Sequence, residues 1–246
     1  MAYRILMDLS HYERIHSLPD KLFLDKDYLF SFINFGDQIP SVDKLQKYDL
    51  LLIGDPKPKY FNEILWNKEE LRNIKQYVRR GGKMLITSSN RGDFNLSPML
   101  GGLRIFQKLT GVALFPNFLT FSLSPRDYFG KKSILHLHLS SQSLPFGDFT
   151  PNDYLAWGKS TILVLHEEYP AKILLTSPES TQIHDYVTKK KKYTSRQPLL
   201  VFRQYHEGLV VTSASSCFFL QNSQYGIEVE ANGKFFLELI NWILSF

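Results

Sequence analysis

The chain has 246 residues, 43% of them apolar and 22% charged, and its 29 basic and 24 acidic residues leave a formal net charge of +5. That length suits one large α/β domain or two small ones and can bury a sizeable core, and so mild a charge does not by itself imply nucleic acid. A lone cysteine, Cys217, excludes an internal disulfide and a cysteine-based zinc site.

Residues 3–9 read as a first strand centred on Ile5, Leu6 and Met7, with Asp8-Leu9-Ser10-His11 at its end. Asp8 comes too early for a signal peptide, and no apolar run approaches the length of a bilayer span, so a cytoplasmic location is expected. Residues 23–33 are rich in rings and fit a helix or an edge strand equally. Residues 42–47 form a short turn of helix or a loop. The run Leu50-Leu51-Leu52-Ile53 is continuous in apolar residues, as a strand buried on both faces must be, and Gly54-Asp55-Pro56 stops it.

A helix follows, marked by Leu71, Ile74, Tyr77 and Val78 at spacings of three and four, and Gly81-Gly82 ends it. Met84-Leu85-Ile86 is a second buried strand leading into the polar turn Thr87-Ser88-Ser89-Asn90. Strand, helix, strand within a few dozen residues is a βαβ unit, so these two strands should be parallel. Residues 97–109 carry another helix, with Pro98 near its start.

From residue 112 the pattern turns to short strands. Residues 133–139 alternate, with Leu135, Leu137 and Leu139 on one side and His136 and His138 on the other. Residues 162–166, 173–176 and 199–205 are further strands. Between the last two lie Lys189, Lys190, Lys191 and Lys192, expected in a mobile, Lys-rich loop near 186–197. Residues 208–212 form another buried strand ending in Ser213-Ala214-Ser215-Ser216. The closing helix, 232–244, has Asn232 as its expected N-cap.

The order of these pieces resembles a known family. Its residues are DLLLIGDP (49–56), a helix ending in RRGG (79–82), KMLITSS (83–89), GLVVTSASSCFF (208–219), and a last helix with Asn232 near its start and Trp242-Ile243-Leu244 near its end. The chain resembles the class I glutamine amidotransferase-like family, in particular the non-catalytic branch of gliding-motility and ABC-transport accessory proteins and an intraflagellar-transport subunit. The resemblance runs over most of the chain and is poorest across 127–196. It implies a single domain over 1–246 with an α/β fold: a largely parallel, flavodoxin-like sheet flanked by helices, with added β elements in the second half. It also implies a binding or scaffolding role, with another protein as partner and no cofactor.

An active member of the family needs a cysteine on the turn after the strand that follows Gly81-Gly82, yet that turn reads Ser88-Ser89-Asn90-Arg91. Nor is there a serine elbow, because Thr87 and Arg91 stand where glycines are needed around Ser89. The enzyme alternative is a hydrolase or amidotransferase-like protein using Ser89, or Cys217 with His166 or His206. His136 and His138 are too few to hold a metal on their own. A second alternative is binding of nucleic acid or an anionic surface through the lysine run. In parallel sheets ligands sit beyond the carboxyl ends of the strands. Asp8, Ser10, Asp55, Ser88, Ser89, Asn90, Ser213, Ser215 and Ser216 therefore define a candidate ligand crevice. Finally, Phe23, Tyr28, Phe30, Phe32, Phe35, Phe115, Phe118 and Phe121 are the rings expected to supply an exposed patch for a protein partner.

Overall fold

The computed structural model describes residues 2–11, 28–56, 66–88, 103–115, 118–128, 130–142, 144–185, 188–216, 220 and 226–246. In chain order these form β1 (Tyr3–Asp8), β2 (Tyr28–Ile33), α1 (Val42–Leu45), β3 (Leu50–Gly54), α2 (Lys68–Arg79), β4 (Lys83–Thr87) and α3 (Leu103–Thr110). Then come β5 (Val112–Phe115), β6 (Phe118–Ser122), β7 (Ile134–His138), β8 (Tyr154–Gly158), β9 (Ile162–Leu165) and β10 (Lys172–Thr176). The chain continues with β11 (Thr181–Asp185), β12 (Lys191–Tyr193), β13 (Pro198–Tyr205), β14 (Gly208–Ser213) and α4 (Asn232–Ser245).

The continuous apolar runs lie at the centre of a seven-stranded sheet of order β10-β13-β14-β4-β3-β1-β2. Strands β2, β1, β3, β4 and β14 are mutually parallel; β13 runs against β14 and β10 against β13. Leu50 to Ile53 have no exposed surface, which is why that run shows no polar alternation. The face bearing Met7, Leu52, Leu85, Val211 and Phe202 meets α4, through Phe202 on Trp242 and the Tyr28 hydroxyl on Asn241. The opposite face meets α2 and α3.

Helix α2 starts on a capping box. The Asn67 side chain accepts from the Glu69 and Glu70 amides at 2.9 Å each, and the Glu70 carboxylate accepts from Asn67 N–H at 2.8 Å. The helix stops where Gly81 adopts φ +93°, a conformation that only glycine takes without strain. Beyond it, Gly208 at the start of β14 passes so close to α2 that a Cβ there would lie 2.0 Å from the Val78 carbonyl oxygen. The close packing of helix end on strand thus requires glycine at that point.

The structure resolves the ambiguous 23–33 stretch, within its described part, as the edge strand β2. Of the helix expected over 97–109, residues 103–110 are helical, and 97–102 lie outside the described residues. Two expectations are corrected. The lysine run is not all loop, because Lys191 and Lys192 belong to β12, which pairs antiparallel with β11, itself paired with β6. Both lysines are exposed on this edge, where charge opposes pairing with another chain. And Asn232 is not the cap of α4; Ala231 holds that place without a side-chain bond. The Asn232 amide is instead buried against β8, accepting from Ala156 N–H at 3.0 Å and donating to the carbonyls of Ala156 (3.1 Å) and Gly226 (2.9 Å). It works as a strand-like clamp rather than a helix cap.

Candidate functional site

Strands β1, β3, β4 and β14 are parallel, so Asp8, Asp55, Ser88 and Ser213 lie at one end of the sheet. The chain leaves β1 toward β2 on one side, and β3 lies on its other side, so the switch of direction falls between β1 and β3. Asp8 and Asp55 therefore flank the switch point. Asp8, Ser10, Asp55, Ser88, Ser213, Ser215 and Ser216 are all buried. Ser89 and Asn90 lie outside the described residues.

Most of the described side chains among them fall into hydrogen-bonded groups. On the α2 side, Asp8 Oδ1 accepts from the Ser10 hydroxyl (2.5 Å) and amide (3.0 Å). Asp8 Oδ2 lies 3.0 Å from His11 Nδ1, which also contacts Ser10 Oγ at 2.8 Å. The other ring nitrogen, His11 Nε2, faces Glu70 Oε1 at 3.3 Å, and that oxygen also accepts from Ile39 N–H at 3.1 Å. Trp66 packs against the imidazole with ring centroids 5.9 Å apart. One carboxylate, Glu70, thus ties the loop after β1, the chain at Ile39 and the start of α2 together.

Burial alone pushes the His11 imidazole down, but hydrogen bonds and charge from Asp8 and Glu70 outweigh it and raise the ring to about 10. Burial pushes the Glu70 carboxyl up, and the bonds from His11, Asn67 N–H and Ile39 N–H bring it below its ordinary value. At neutral pH His11 is an imidazolium with both N–H groups directed at carboxylates. It has no lone pair to offer, so the nearby Ser10 hydroxyl has no base in this ring.

The second group lies toward β8. Ser213 Oγ donates to the Ser215 carbonyl at 2.6 Å, and Ser215 Oγ donates to the Gly158 carbonyl. Between the two groups, Ser216 Oγ reaches Asp55 Oδ2 at 3.4 Å across the end of β4. Asp55 sits at φ +61°, a strained backbone for a side-chain-bearing residue. The backbone ladder continues here: Asp55 N–H donates to the Thr87 carbonyl and Ser88 N–H to the Ser213 carbonyl.

The histidines assigned to the enzyme alternative lie elsewhere. His206 occupies the turn that precedes β14, at the opposite end of that strand from Ser213. His166 stacks on Tyr169, and Tyr169 lies beside Arg203, which pairs with Val210 near the start of β14. Neither approaches Ser88; Cys217 is outside the described residues. His136 and His138 enclose Tyr154, at centroid distances of 4.2 and 4.3 Å. Among the described residues no group of three or more His, Cys, Asp or Glu is arranged to hold a metal ion.

Reading the sequence missed His11 and Glu70. The signal for Glu70 was its spacing from Asn67, the N-x-x-E of a capping box. His11 stood beside two chosen residues, but its charge state depends on Glu70, distant in sequence.

The expected ring patch is present in part. Phe32 (48% exposed) and Phe35 (60%) are exposed, as are Leu29 (57%) and Tyr3 (42%), all on β1, on β2 or just after it. Tyr28, Phe30 and Phe121 are half-buried. Phe23 and the side chains of Phe115 and Phe118 lie outside the described residues.

No family model and no curated protein matches the sequence. Solved structures do share its fold. The mmIFT52 N-terminal domain superposes with a TM-score of 0.67 at 15% identity, over 99% of this chain and 98% of that one. Two Salmonella typhimurium proteins, each described as a cytoplasmic protein, superpose with TM-scores of 0.55 and 0.56 at 16% identity. They match 98% of this chain and 99% and 98% of their own. The chain is a mixed α/β protein with a mostly parallel seven-stranded sheet, and at this identity the likeness is one of fold. Among the described residues, no helix is long and apolar enough to cross a membrane.

Proposed function

We propose that this chain is a non-catalytic binding or scaffolding domain that presents a surface to another protein. In this reading the 246 residues form one domain with a flavodoxin-like, class I glutamine amidotransferase-like sheet, and it works in the cytoplasm. The observation that carries it is the set of large apolar side chains exposed on and beside β2, Tyr3 and Phe32 on one face of the sheet, Leu29 on the other, and Phe35 just beyond the strand. The sheet's carboxyl end supports it. Asp8, Ser10, Asp55, Ser213, Ser215 and Ser216 there are buried and hydrogen-bonded within the protein. The mmIFT52 domain, the intraflagellar-transport likeness anticipated from the sequence, shares the fold. Asp8, Ser10, Asp55, Ser88, Ser89, Asn90, Ser213, Ser215 and Ser216 remain the proposed lining of any small-ligand crevice.

The test compares tagged wild-type protein with Leu29→Lys, after circular dichroism has shown the variant folded. The expected outcome is a protein retained by the wild type and lost from the variant, and one that rebinds when purified. A retained set identical in both overturns the assignment to this surface. Ammonia release from glutamine that disappears in Cys217→Ala would overturn the non-catalytic reading.

A further inference from the structure

We propose that the outer flank of α2 docks an acidic helix of another protein, one whose carboxylates repeat at the spacing of a row of cations on α2. This extends the protein-binding reading above to a second surface. The row is Lys68, Arg72, Lys75 and Arg79. Its spacings of four, three and four residues keep the side chains within an arc of about 60° and along roughly 16 Å of helix axis. Leu71, Ile74, Tyr77 and Val78 point away from the row and are buried. Lys68, Arg72 and Arg79 are exposed, and Lys75 is half-buried. Among the described residues, none of the four makes an ion pair or a side-chain hydrogen bond. Arg80, on the neighbouring flank, does: it reaches Asp43 of α1 at 3.5 Å.

Helix stability does not account for the row. Like charges three and four residues apart repel, and Lys68 stands at the positive end of the helix dipole. The acids of α2 do not offset it. Glu70 is buried against His11 and Ile39, and Glu69 lies on the flank of Arg80. Unpaired cations in a row suit an anionic partner, and the surface around them selects which. A helix that rests on a membrane places apolar side chains at the interface beside its cations; those of α2 are buried. Single-stranded nucleic acid is held by rings as well as cations. The one ring on α2, Tyr77, is buried, with its hydroxyl directed at the Tyr48 and Lys83 carbonyls. A duplex groove takes a projecting helix, whereas α2 packs against both α1 and α3. A facing helix with Glu or Asp at the same spacings meets every cation in the row, as charged flanks do in paired helices. Exposed pairs of this kind are individually weak and screened by salt, so the docking should be salt-sensitive.

Fluorescence anisotropy on the full chain tests this with a labelled, alanine-based helical peptide carrying glutamates at those spacings. The expected result is binding at low salt that falls as salt rises, and none for the same peptide with glutamine in place of glutamate. Arg72→Gln with Lys75→Gln keeps good helix formers and should weaken binding by about tenfold. Arg72→Glu with Lys75→Glu should abolish it. Lys131→Glu with Lys132→Glu makes the same change of net charge in exposed residues just before β7 and should leave binding intact. Circular dichroism first shows each variant folded. No binding of the glutamate peptide, or equal loss in both charge-reversed proteins, overturns the proposal. So does tighter binding of phosphatidylserine vesicles or of a single-stranded oligodeoxynucleotide that the α2 variants lose, which would assign the row to a lipid surface or to nucleic acid. Leu29→Lys should keep the peptide, so failure of the β2 surface and failure of this one are read separately.

Discussion

At the carboxyl end of the sheet, acids, an imidazolium and hydroxyls are buried, whereas along the β2 edge large apolar side chains face water. Both regions invert the common distribution, for different physical reasons. The buried charged groups are tolerated because they find partners nearby: Asp8 holds Ser10 and His11, Glu70 holds His11, Asn67 and Ile39, and Asp55 meets Ser216. The exposed rings keep much of their apolar surface in water. Leaving them on the surface costs about 25 cal/mol for each Å² of apolar area.

Breaking the first region should have the largest effect. His11→Ala leaves the Asp8 and Glu70 carboxylates without their shared cation, and removing one partner of such a buried group typically costs about 3–5 kcal/mol. Urea unfolding would read it as a lower midpoint. A loss below roughly 1 kcal/mol would mean that the carboxylates reach other cations or water.

The same group sets a pH profile. His11 is raised from 6.5 to about 10 in the folded chain, so its contribution is fully present below 6.5 and is lost as pH rises through about 10. Glu70 is lowered from 4.5, so its contribution is present above 4.5 and is lost as pH falls through its folded value. The stabilisation from this pair should therefore peak between 4.5 and 6.5 and decline toward 10. Unfolding midpoints of wild type and His11→Ala, measured across pH, should converge on the basic side. A difference that stays constant from pH 6.5 to 10 would contradict the assigned charge state.

Next in size is Asn232→Ala, which removes the partner of the Ala156 amide and carbonyl, while the Gly226 carbonyl keeps Val229 N–H. Unsatisfied buried groups of this kind cost roughly 1–3 kcal/mol. Asn232→Ser, capable of helix capping but too short for the three bonds, should not restore the loss. Full recovery with serine would return Asn232 to the capping role that its position suggests.

What the sequence made legible follows how local each signal was. The continuous runs at Leu50 and Met84, the helix periodicity through Leu71 and Val78, and the Gly81 stop are local patterns, and the structure places each where expected. Strands β8 and β11 were not legible. YLAWG and TQIHD become strands through antiparallel partners, β7 and β6, that lie well away in sequence. The same holds at the sheet's carboxyl end. The Asp8, Asp55 and serine positions could be read from where strands stop. How they pair depends on Glu70 and Gly158, which reach the cluster only through the fold.

The smallest expected effect concerns the lysines. Lys191 and Lys192 extend from β12, and Lys189 and Lys190 from the chain just before it, all exposed. Charge on an edge strand opposes its pairing with another, and β2 carries none. Replacing all four by serine should change unfolding free energy by no more than about ±0.5 kcal/mol, because exposed substitutions away from caps and cores fall in that range. If the contrast between the edges is real, the replacement should nevertheless increase concentration-dependent association, since it strips an edge of the charge that blunts it. Light scattering at matched concentrations would read this directly. Salt-sensitive binding to single-stranded nucleic acid that disappears in the same variant would instead give the lysines a recognition role, because released counterions make such binding fall steeply with salt. Association unchanged and no nucleic-acid binding would leave the β2 edge distinguished by its exposed rings, not by its missing charge.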